Sequence, residues 1–202
     1  MQNVLNTILG VESAKISKLV VSVLLPSAHR RQGKDGNILF GTSDCSRFNG
    51  DLHKIPVSPS NGNFKIDGLK INNTPTNYTA SGVFRSSHSF LGVHDTLANH
   101  FHSMVPGSRN EPGFGGWLVL CDLTENTKDQ LALQMNGKEF YLPFASLVME
   151  NEKQVILNNT YCISGVQGGF EVWSIGDVFM KNHYFVFQYD SAPSVSIAPV
   201  RR

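Results

Sequence analysis

The chain of 202 residues is 41% hydrophobic and 16% charged, a composition that excludes an intrinsically disordered protein and fits one globular domain over residues 1–202. Its 17 basic and 16 acidic residues give a formal net charge of +1, so no net electrostatic field would attract nucleic acid or an anionic membrane. The longest apolar runs, such as LVVSVLL at 19–25, are far shorter than a membrane-spanning helix requires.

Short β-strands dominate the pattern along the chain. Before them, apolar residues at helical spacing up to Gly10 predict one short amphipathic helix. Runs rich in Val, Ile, Phe and Tyr then alternate with clusters of Gly, Asn, Ser and Pro, which is typical of strands joined by turns. The predicted strands lie at 18–25, 37–41, 51–57, 64–71, 117–123 and 183–189.

Two local patterns are more specific. Asn136-Gly137 separates two strand-like runs within 131–143 and suits the positive φ angles of a type I′ hairpin turn. Residues 95–104 predict a helix, with Asp95 as its N-cap. We therefore predict a mostly β domain with two or three short helices.

The cysteines and glycosylation sequons favour a protein of the secretory pathway. Three cysteines permit one disulfide and leave one thiol over. Three Asn-x-Ser/Thr sequons lie in polar, turn-like sequence, where a glycan could project into solvent; their asparagines are Asn72, Asn77 and Asn158. The N-terminus lacks the basic region and long apolar stretch of a signal peptide. We expect a secreted or endolysosomal protein whose signal peptide is not present in this chain.

A polar cluster interrupts an apolar segment in SGVFRSSHSFLG, residues 81–92. The cluster consists of Arg85, Ser86, Ser87, His88 and Ser89, and an apolar pair stands on each side of it. Such a cluster within strand-like sequence indicates either a reactive site or the remnant of one.

Three stretches resemble the C-terminal lobe of pepsin-like aspartic proteases, in the order and with the separations of that family. ILFGTSDCSRFNGDLHKIPVS at 38–58 is similar to the family's strand, acidic turn and segment ending in (Ile/Val)-Pro-Val. The polar cluster occupies the place of the loop Asp-Thr-Gly-Thr-Ser, which also lies between apolar pairs. EVWSIGDVFMKNHYFVFQYDSAPSVSIAPV at 171–200 resembles the family's ending, which begins Trp-Ile-Leu-Gly-Asp-Val-Phe.

The resemblance implies one lobe of the bilobal acid protease fold, built from antiparallel sheets, with the N-terminal lobe absent from this chain. Trp173, Ile175 and Gly176 would then pass beside the polar cluster, where a glycine lets two backbones cross closely.

The resemblance also implies which cysteines pair. The segments LVLC and NNTYC match the positions of a disulfide common in this lobe, so Cys121 would bond to Cys162 and Cys45 would remain free. In the loop-entropy model such a link would stabilise the fold by roughly 3–4 kcal/mol.

The family's chemistry requires two facing aspartates, one from each lobe, that share a proton. The chain contains no Asp-Thr-Gly or Asp-Ser-Gly, and the position that matches the second catalytic aspartate is Arg85. A guanidinium group stays protonated and cannot act as a general base, although beside a partner carboxylate it would form a salt bridge and lower the pKa of that carboxyl group.

The rest of the cluster departs from the family pattern as well. Ser86 keeps the hydroxyl of the family's Thr, Ser87 replaces Gly, and His88 replaces a hydroxyl residue. Ser89 alone matches. We therefore expect no catalytic residue in this loop.

Other catalytic arrangements are less favoured. Ser86, Ser87 and His88 with Asp95 could suggest a Ser-His-Asp triad, but adjacency in sequence is not triad geometry and no Gly-x-Ser-x-Gly elbow is present. Asp190-Ser191-Ala192 comes closest to an active-site triplet elsewhere, and we interpret it as a turn in the terminal hairpin.

A metal site is also disfavoured. His94, His100 and His102 lie close together in sequence, but residues i and i+2 of a helix point roughly 200° apart. No His-Glu-x-x-His or Cys-x-x-Cys pattern accompanies them. We expect no metal and no cofactor.

The sequence leaves three hypotheses about function. The first is a non-catalytic member of the pepsin-like family that binds a peptide or protein through the remaining half-cleft, or pairs with a separate N-terminal lobe. The second is a fragment or isoform of a two-lobe aspartic endopeptidase that hydrolyses peptide bonds. The third is a poorly stable lobe without a settled role, which would self-associate through exposed apolar surface. No nucleic acid or membrane partner is expected.

Overall fold

The computed structural model describes residues 19–26, 36–123 and 129–201, so the amphipathic helix predicted at the N-terminus lies outside the described residues. The described strands, in chain order, are β1 (Val20–Leu24), β2 (Asn37–Phe40), β3 (His53–Pro56), β4 (Phe64–Ile66), β5 (Gly68–Ile71), β6 (Thr74–Pro75), β7 (Ala80–Phe84), β8 (Leu91–Gly92), β9 (Arg109–Glu111), β10 (Gly116–Leu120), β11 (Gln130–Met135), β12 (Lys138–Pro143), β13 (Val148–Ile156), β14 (Asn159–Ser164), β15 (Val166–Gln167), β16 (Trp173–Ile175), β17 (His183–Gln188) and β18 (Ser194–Pro199). The described α-helices are α1 (Asp95–Ser103) and α2 (Asp177–Met180). The predicted fold class, mostly β with short helices, is confirmed.

The chain divides into two compact units, Met1–Phe64 with Met180–Arg202, and Lys65–Phe179. In the first unit, a five-stranded antiparallel sheet has the order β2-β1-β17-β18-β3. Leu24, Tyr184 and Ala198 of these strands form a small core with Phe48 and Val200, which pair in an isolated β-bridge.

The turn between β17 and β18 contains Asp190-Ser191-Ala192. The Asp190 carboxylate accepts a hydrogen bond from the backbone N–H of Ala192 at 3.0 Å, which is the local bonding of an Asx turn. The interpretation of this triplet as a turn is therefore confirmed.

The second unit contains three sheets. Two of them are antiparallel, with the orders β13-β14-β10-β9 and β12-β11-β5-β6. The third, β15-β8-β16-β7-β4, is mixed, because β16 runs parallel to β7 and antiparallel to β8. This mixed sheet carries the polar cluster of residues 85–89.

Two predictions are confirmed in this unit, the first made from local sequence and the second implied by the family resemblance. Asn136 and Gly137 have φ angles of 49° and 78° between β11 and β12, as the type I′ turn requires. Cys121 and Cys162 form a disulfide with their Cα atoms 5.0 Å apart, which ties the end of β10 to β14. Cys45 is a free, exposed cysteine.

The predicted N-cap of the helix was wrong by one residue. Helix α1 begins at Asp95, and its N-cap is His94, whose Nδ1 accepts a hydrogen bond from the backbone N–H of Thr96 at 3.3 Å. Asp95 instead lies in the first turn, where a carboxylate interacts favourably with the helix dipole. The imidazole thus takes the capping role that is more usual for Asp or Ser.

The predicted strand at 64–71 is two strands, β4 and β5, that belong to different sheets. Asp67 separates them, and its backbone N–H donates to the carbonyl of Gln134. Among the described residues, none of the helices has the length and apolar character needed to cross a membrane.

Candidate functional site

The polar cluster forms a tight turn at the end of β7. The backbone N–H of Arg85 donates to the carbonyl of Ile175 at 3.0 Å, which extends the pairing between β7 and β16. The carbonyl of Arg85 then accepts a hydrogen bond from the N–H of His88 at 3.2 Å, so that Ser86 and Ser87 lie at the tip of the turn. The chain returns into the sheet as β8.

Strand β16 lies between the two strands that this loop connects. Ser174 is opposite Val83 of β7 on one side and Gly92 of β8 on the other. Because β7 and β8 are both hydrogen-bonded to β16 rather than to each other, the position of the loop depends on a segment more than 80 residues away in sequence.

The loop also caps helix α2. The carbonyl of His88 accepts a hydrogen bond from the N–H of Asp177 at 2.8 Å, and the carbonyl of Ser89 accepts from the N–H of Val178 at 3.1 Å. These N–H groups belong to the first turn of α2 and have no acceptor within the helix. The loop and the helix start therefore satisfy each other's backbone groups.

Gly176 lies where the two segments cross. A Cβ atom at this position would lie 2.2 Å from the carbonyl oxygen of His88 and 2.4 Å from that of Phe90, both well inside contact distance. Both obstacles are backbone atoms, and the His88 carbonyl is held by its hydrogen bond from Asp177, so they cannot move aside cheaply. Only a glycine fits at this crossing.

The side chains at the tip of the loop face solvent. Arg85, Ser86, Ser87 and Ser89 are exposed, and His88 is partly buried. Within the described part of the chain, the Arg85 guanidinium makes no hydrogen bond and no ion pair. The loop therefore presents a protonated group and three hydroxyls to solvent, and no carboxylate.

His88 and Ser174 form a contact that the sequence did not reveal. His88 Nδ1 lies 2.6 Å from Ser174 Oγ, and Ser174 is 1% exposed. The imidazole also stacks on Phe90, with ring centroids 5.4 Å apart, and meets the edge of Phe170 at 5.8 Å. The ring is thus fixed by one hydrogen bond and two aromatic neighbours.

A signal for this contact is visible in the family pattern. The motif Trp-Ile-Leu-Gly has an apolar residue where this chain has Ser174, and the loop motif has a hydroxyl where this chain has His88. This chain has a hydroxyl where the strand motif has none, and a ring where the loop motif has a hydroxyl. The two departures meet in space, although 86 residues separate them.

The Ser-His-Asp arrangement does not form. His88 bonds to Ser174, and within the described residues no hydrogen bond joins its ring to Ser86, Ser87 or Asp95. Ser174 itself is buried, so no substrate could reach its hydroxyl. The hydrogen bond between His88 and Ser174 orients the loop.

The three histidines of the disfavoured metal site have separate roles. His94 caps α1, the ring of His100 lies 5.9 Å from that of Tyr78, and His102 is 3% exposed. In the ranges that the structure describes, no three His, Cys, Asp or Glu side chains lie close enough together to hold a metal ion.

His102 is a buried neutral histidine. Its Nε2 lies 3.0 Å from the carbonyl oxygen of Val166, which assigns the proton to Nε2 and leaves Nδ1 to accept from the Ser108 hydroxyl at 2.6 Å. The ring stacks on Trp117 with centroids 4.2 Å apart. Burial lowers the pKa of His102 to about 4, and the hydrogen bond to Val166 opposes this shift.

All three sequon asparagines, Asn72, Asn77 and Asn158, are exposed. Asn72 lies in the turn between β5 and β6, Asn77 lies between β6 and β7, and Asn158 lies in the turn between β13 and β14.

Comparison with known proteins finds aspartic proteases, in agreement with the resemblance seen in the sequence. The family model for eukaryotic aspartyl proteases matches residues 2–200. Rhizopuspepsin-4 of Rhizopus niveus is 31% identical over 193 residues, which cover 94% of this chain and 45% of that protein. A probable aspartic-type endopeptidase of Arthroderma benhamiae is 29% identical over 189 residues, covering 86% and 42% respectively.

A third relative, syncephapepsin of Syncephalastrum racemosum, is 28% identical over 187 residues, covering 91% of this chain and 44% of the relative. The chain spans about half the length of the relatives it matches. The family match extends over nearly every residue, and the resemblance seen in the sequence is confirmed. The chain belongs to the eukaryotic aspartyl protease family.

Proposed function

We propose that this chain is a non-catalytic member of the aspartyl protease family that binds a peptide or protein through its 85–89 loop. The observation that carries the proposal is Arg85, which stands where the family motif has its second catalytic aspartate. An aspartate dyad activates water by sharing one proton between two carboxylates. A guanidinium cannot accept that proton at any accessible pH.

The backbone around the loop supports a retained binding role. The crossing at Gly176 and the capping of α2 by the carbonyls of His88 and Ser89 fix the loop at several points. The hydrogen bond between His88 and Ser174 adds a further constraint that the family motif does not contain. A loop held this firmly loses little conformational entropy when a ligand binds.

The chemistry of the tip favours an anionic ligand group. The Arg85 guanidinium is exposed, has no partner among the described residues and offers several N–H donors in a fork that matches a carboxylate. The hydroxyls of Ser86 and Ser87 are exposed beside it in the same turn. We infer that the bound peptide or protein presents an Asp or Glu carboxylate to this tip. An N-terminal lobe that carries its own catalytic aspartate would present such a group.

A second candidate is that the chain acts as one half of a two-lobe aspartic endopeptidase. The observation in its favour is that the chain spans about half the length of relatives such as rhizopuspepsin-4. In that case a second lobe would supply one aspartate. Arg85 would form a salt bridge with that aspartate, lower the pKa of the aspartate's carboxyl group and hold it ionised. Arg85 and the aspartate could then not share a proton as two facing carboxyl groups do.

A hydrolysis assay tests the absence of catalysis. The purified chain is incubated with a diverse peptide library at about pH 3–5, where a carboxylate dyad holds one proton, with and without pepstatin. We expect no cleavage above the buffer control. Cleavage that pepstatin suppresses would overturn the proposal.

A binding assay tests the role of the tip. Calorimetry measures the affinity of the chain for the isolated N-terminal lobe of a two-lobe family member, and for the same lobe with its catalytic Asp replaced by Asn. Loss of a desolvated charge pair weakens binding by about 2 kcal/mol or more, so Arg85→Ala is expected to weaken it at least about 30-fold. Arg201→Ala, at another exposed arginine, is the matched control and should leave the affinity unchanged. An affinity of the Arg85→Ala variant equal to that of the natural chain would contradict a role for this guanidinium.

We also infer passage through the secretory pathway. The Cys121–Cys162 disulfide fits an oxidising compartment, and all three sequon asparagines are exposed. A reduced Cys121–Cys162 pair in the protein purified from its native source would contradict this inference.

A further inference from the structure

The hairpin of β13 and β14 carries the two most exposed large hydrophobic side chains in the described part of the chain. Val155 is 76% exposed and Leu157 is 84% exposed. Single exposed aliphatic residues are common on protein surfaces, but two at one hairpin tip form a local apolar patch. We refer to Val155 and Leu157 as the apolar tip.

The turn at this tip is tight and unusual in its residues. Ile156 pairs with Asn159, and Leu157 and Asn158 between them have φ angles of 49° and 65°. Two central residues with positive φ form a type I′ turn, which Asn and Gly adopt readily. Leucine is a poor residue for this conformation, and its side chain projects into solvent instead of packing.

The apolar tip lies next to one of the three sequons. Leu157 directly precedes Asn158, and Val155 pairs across the hairpin with Thr160, the third residue of the sequon Asn158-Asn159-Thr160. Side chains of directly paired residues lie on the same face of a hairpin, about 5 Å apart. Asn158 and Thr160 are both exposed. A glycan attached to Asn158 would begin one residue from Leu157 and three residues from Val155 at the same hairpin tip.

The other two sequons have different surroundings. The Asn72 side-chain oxygen accepts a hydrogen bond from the backbone N–H of Gln130 at 3.1 Å, and the preceding Ile71 is only 1% exposed. Tyr78, which follows Asn77, is partly buried, and its hydroxyl donates to the carbonyl of Thr96. A glycan at either asparagine would therefore not cover an exposed aliphatic pair.

We propose that Asn158 is an N-glycosylation site whose glycan covers the apolar tip. Asn158 Nδ2 would attack the anomeric carbon of an oligosaccharide linked to a lipid pyrophosphate, the donor class of the secretory pathway. A carbon–nitrogen bond forms, the bond from that carbon to the pyrophosphate oxygen breaks, the lipid pyrophosphate leaves with the electron pair, and the amide proton passes to a base. The C–H faces of the first sugars then contact Val155 and Leu157. This inference depends on passage through the secretory pathway and is independent of the proposed loss of catalysis.

Mass spectrometry of the full chain tests the modification. The chain is secreted from a eukaryotic host, digested, and treated with peptide N-glycosidase in ¹⁸O-labelled water, which marks each formerly glycosylated asparagine. We expect the label at Asn158 in most molecules and its loss in the Thr160→Ala variant. Thr74→Ala, which removes the Asn72 sequon, is the matched control and should leave the label at Asn158 unchanged. Secreted, folded protein with unmodified Asn158 would overturn the proposal.

A second measurement tests coverage of the apolar tip. The folded glycoprotein is trimmed to one sugar with an endoglycosidase, so that no folding step intervenes, and its retention on a hydrophobic-interaction column is compared before and after. We expect longer retention after trimming, and we expect this increase to disappear in a Val155→Ser/Leu157→Ser variant. Unchanged retention would refute coverage by the glycan. Unmodified Asn158 together with self-association that Leu157→Ser abolishes would show instead that a second copy covers the tip.

Discussion

His88 Nδ1 lies 2.6 Å from Ser174 Oγ, and this hydrogen bond joins the loop to the strand that crosses it. The loop motif of the family has a hydroxyl where His88 stands, and the strand motif has an apolar residue where Ser174 stands. The bond therefore connects two departures from the family pattern. It constrains the loop at the position where the family motif has a hydroxyl.

A double-mutant cycle tests the energy of this contact. Ser174→Ala leaves the imidazole nitrogen without its buried partner and is expected to reduce the free energy of unfolding by about 1–2 kcal/mol. His88→Ala should have a similar effect. The double variant should lose less free energy of unfolding than the two single variants lose in sum, by roughly 0.5–1.5 kcal/mol. Urea denaturation measures each value. Ser87→Ala, at the exposed tip, serves as control, and strictly additive effects of His88 and Ser174 would contradict the coupling.

The crossing at Gly176 makes a sharper stability prediction. A Cβ at this position would lie 2.2 Å from the His88 carbonyl oxygen, so Gly176→Ala must displace the loop or the start of α2. We expect a loss of about 3 kcal/mol or more, measured by chemical denaturation. Gly113→Ala is the matched control, because a Cβ at Gly113 meets no atom within 4 Å. Equal stability of the two variants would contradict the close crossing.

The buried His102 predicts a loss of stability in acid. The pKa of folded His102 is about 4, below the usual histidine value of 6.5, so between these values the unfolded chain binds a proton that the folded chain does not. Its contribution to stability is complete above about pH 6.5 and decreases as the pH falls toward 4, by up to roughly 3 kcal/mol. His102→Gln should remove this part of the pH dependence, whereas the exposed His100→Gln should not. Unfolding free energies measured at several pH values check both.

The disulfide predicts that replacing its two cysteines lowers the free energy of unfolding more than replacing the third cysteine does. Replacing Cys121 and Cys162 together by Ser opens a loop with a sequence separation of 41 residues and should lower the free energy of unfolding by roughly 3–4 kcal/mol. Cys45→Ser, at the free and exposed cysteine, should change it by less than about 0.5 kcal/mol. Thermal or chemical denaturation under non-reducing conditions distinguishes them. A larger effect at Cys45 would contradict the assigned pairing.

The features that sequence predicted well depend on local chemistry. Asn136-Gly137 was recognised as a hairpin turn because both residues readily adopt positive φ. The sequence at Asn158 is turn-like, but it does not predict the hairpin at Leu157-Asn158, because leucine is not typical of a type I′ turn, although both residues have positive φ there. The two turns have similar φ angles, but only Asn136-Gly137 has the residue types that predict a type I′ turn.

The sequence pointed to the loop at 85–89, but it did not predict the contacts of that loop. The family motif located the loop at 85–89 and its crossing segment, and it assigned the cysteine pair that spacing alone left open. The contact of His88 with Ser174 joins residues 86 positions apart, and no local pattern encodes it. The same holds for the parallel pairing of β7 with β16, which depends on the path of the chain rather than on strand propensity.

The most direct test of the central claim is hydrolysis by this chain when it is combined with the N-terminal lobe of an active family member. Cleavage of a peptide library is followed at about pH 3–5 for the natural chain and for its Arg85→Asp variant, with and without pepstatin. We predict no cleavage with Arg85 and pepstatin-sensitive cleavage with the Arg85→Asp variant, because backbone hydrogen bonds to β16 and α2 hold the loop at this position. Pepstatin-sensitive cleavage by the natural chain would contradict the account.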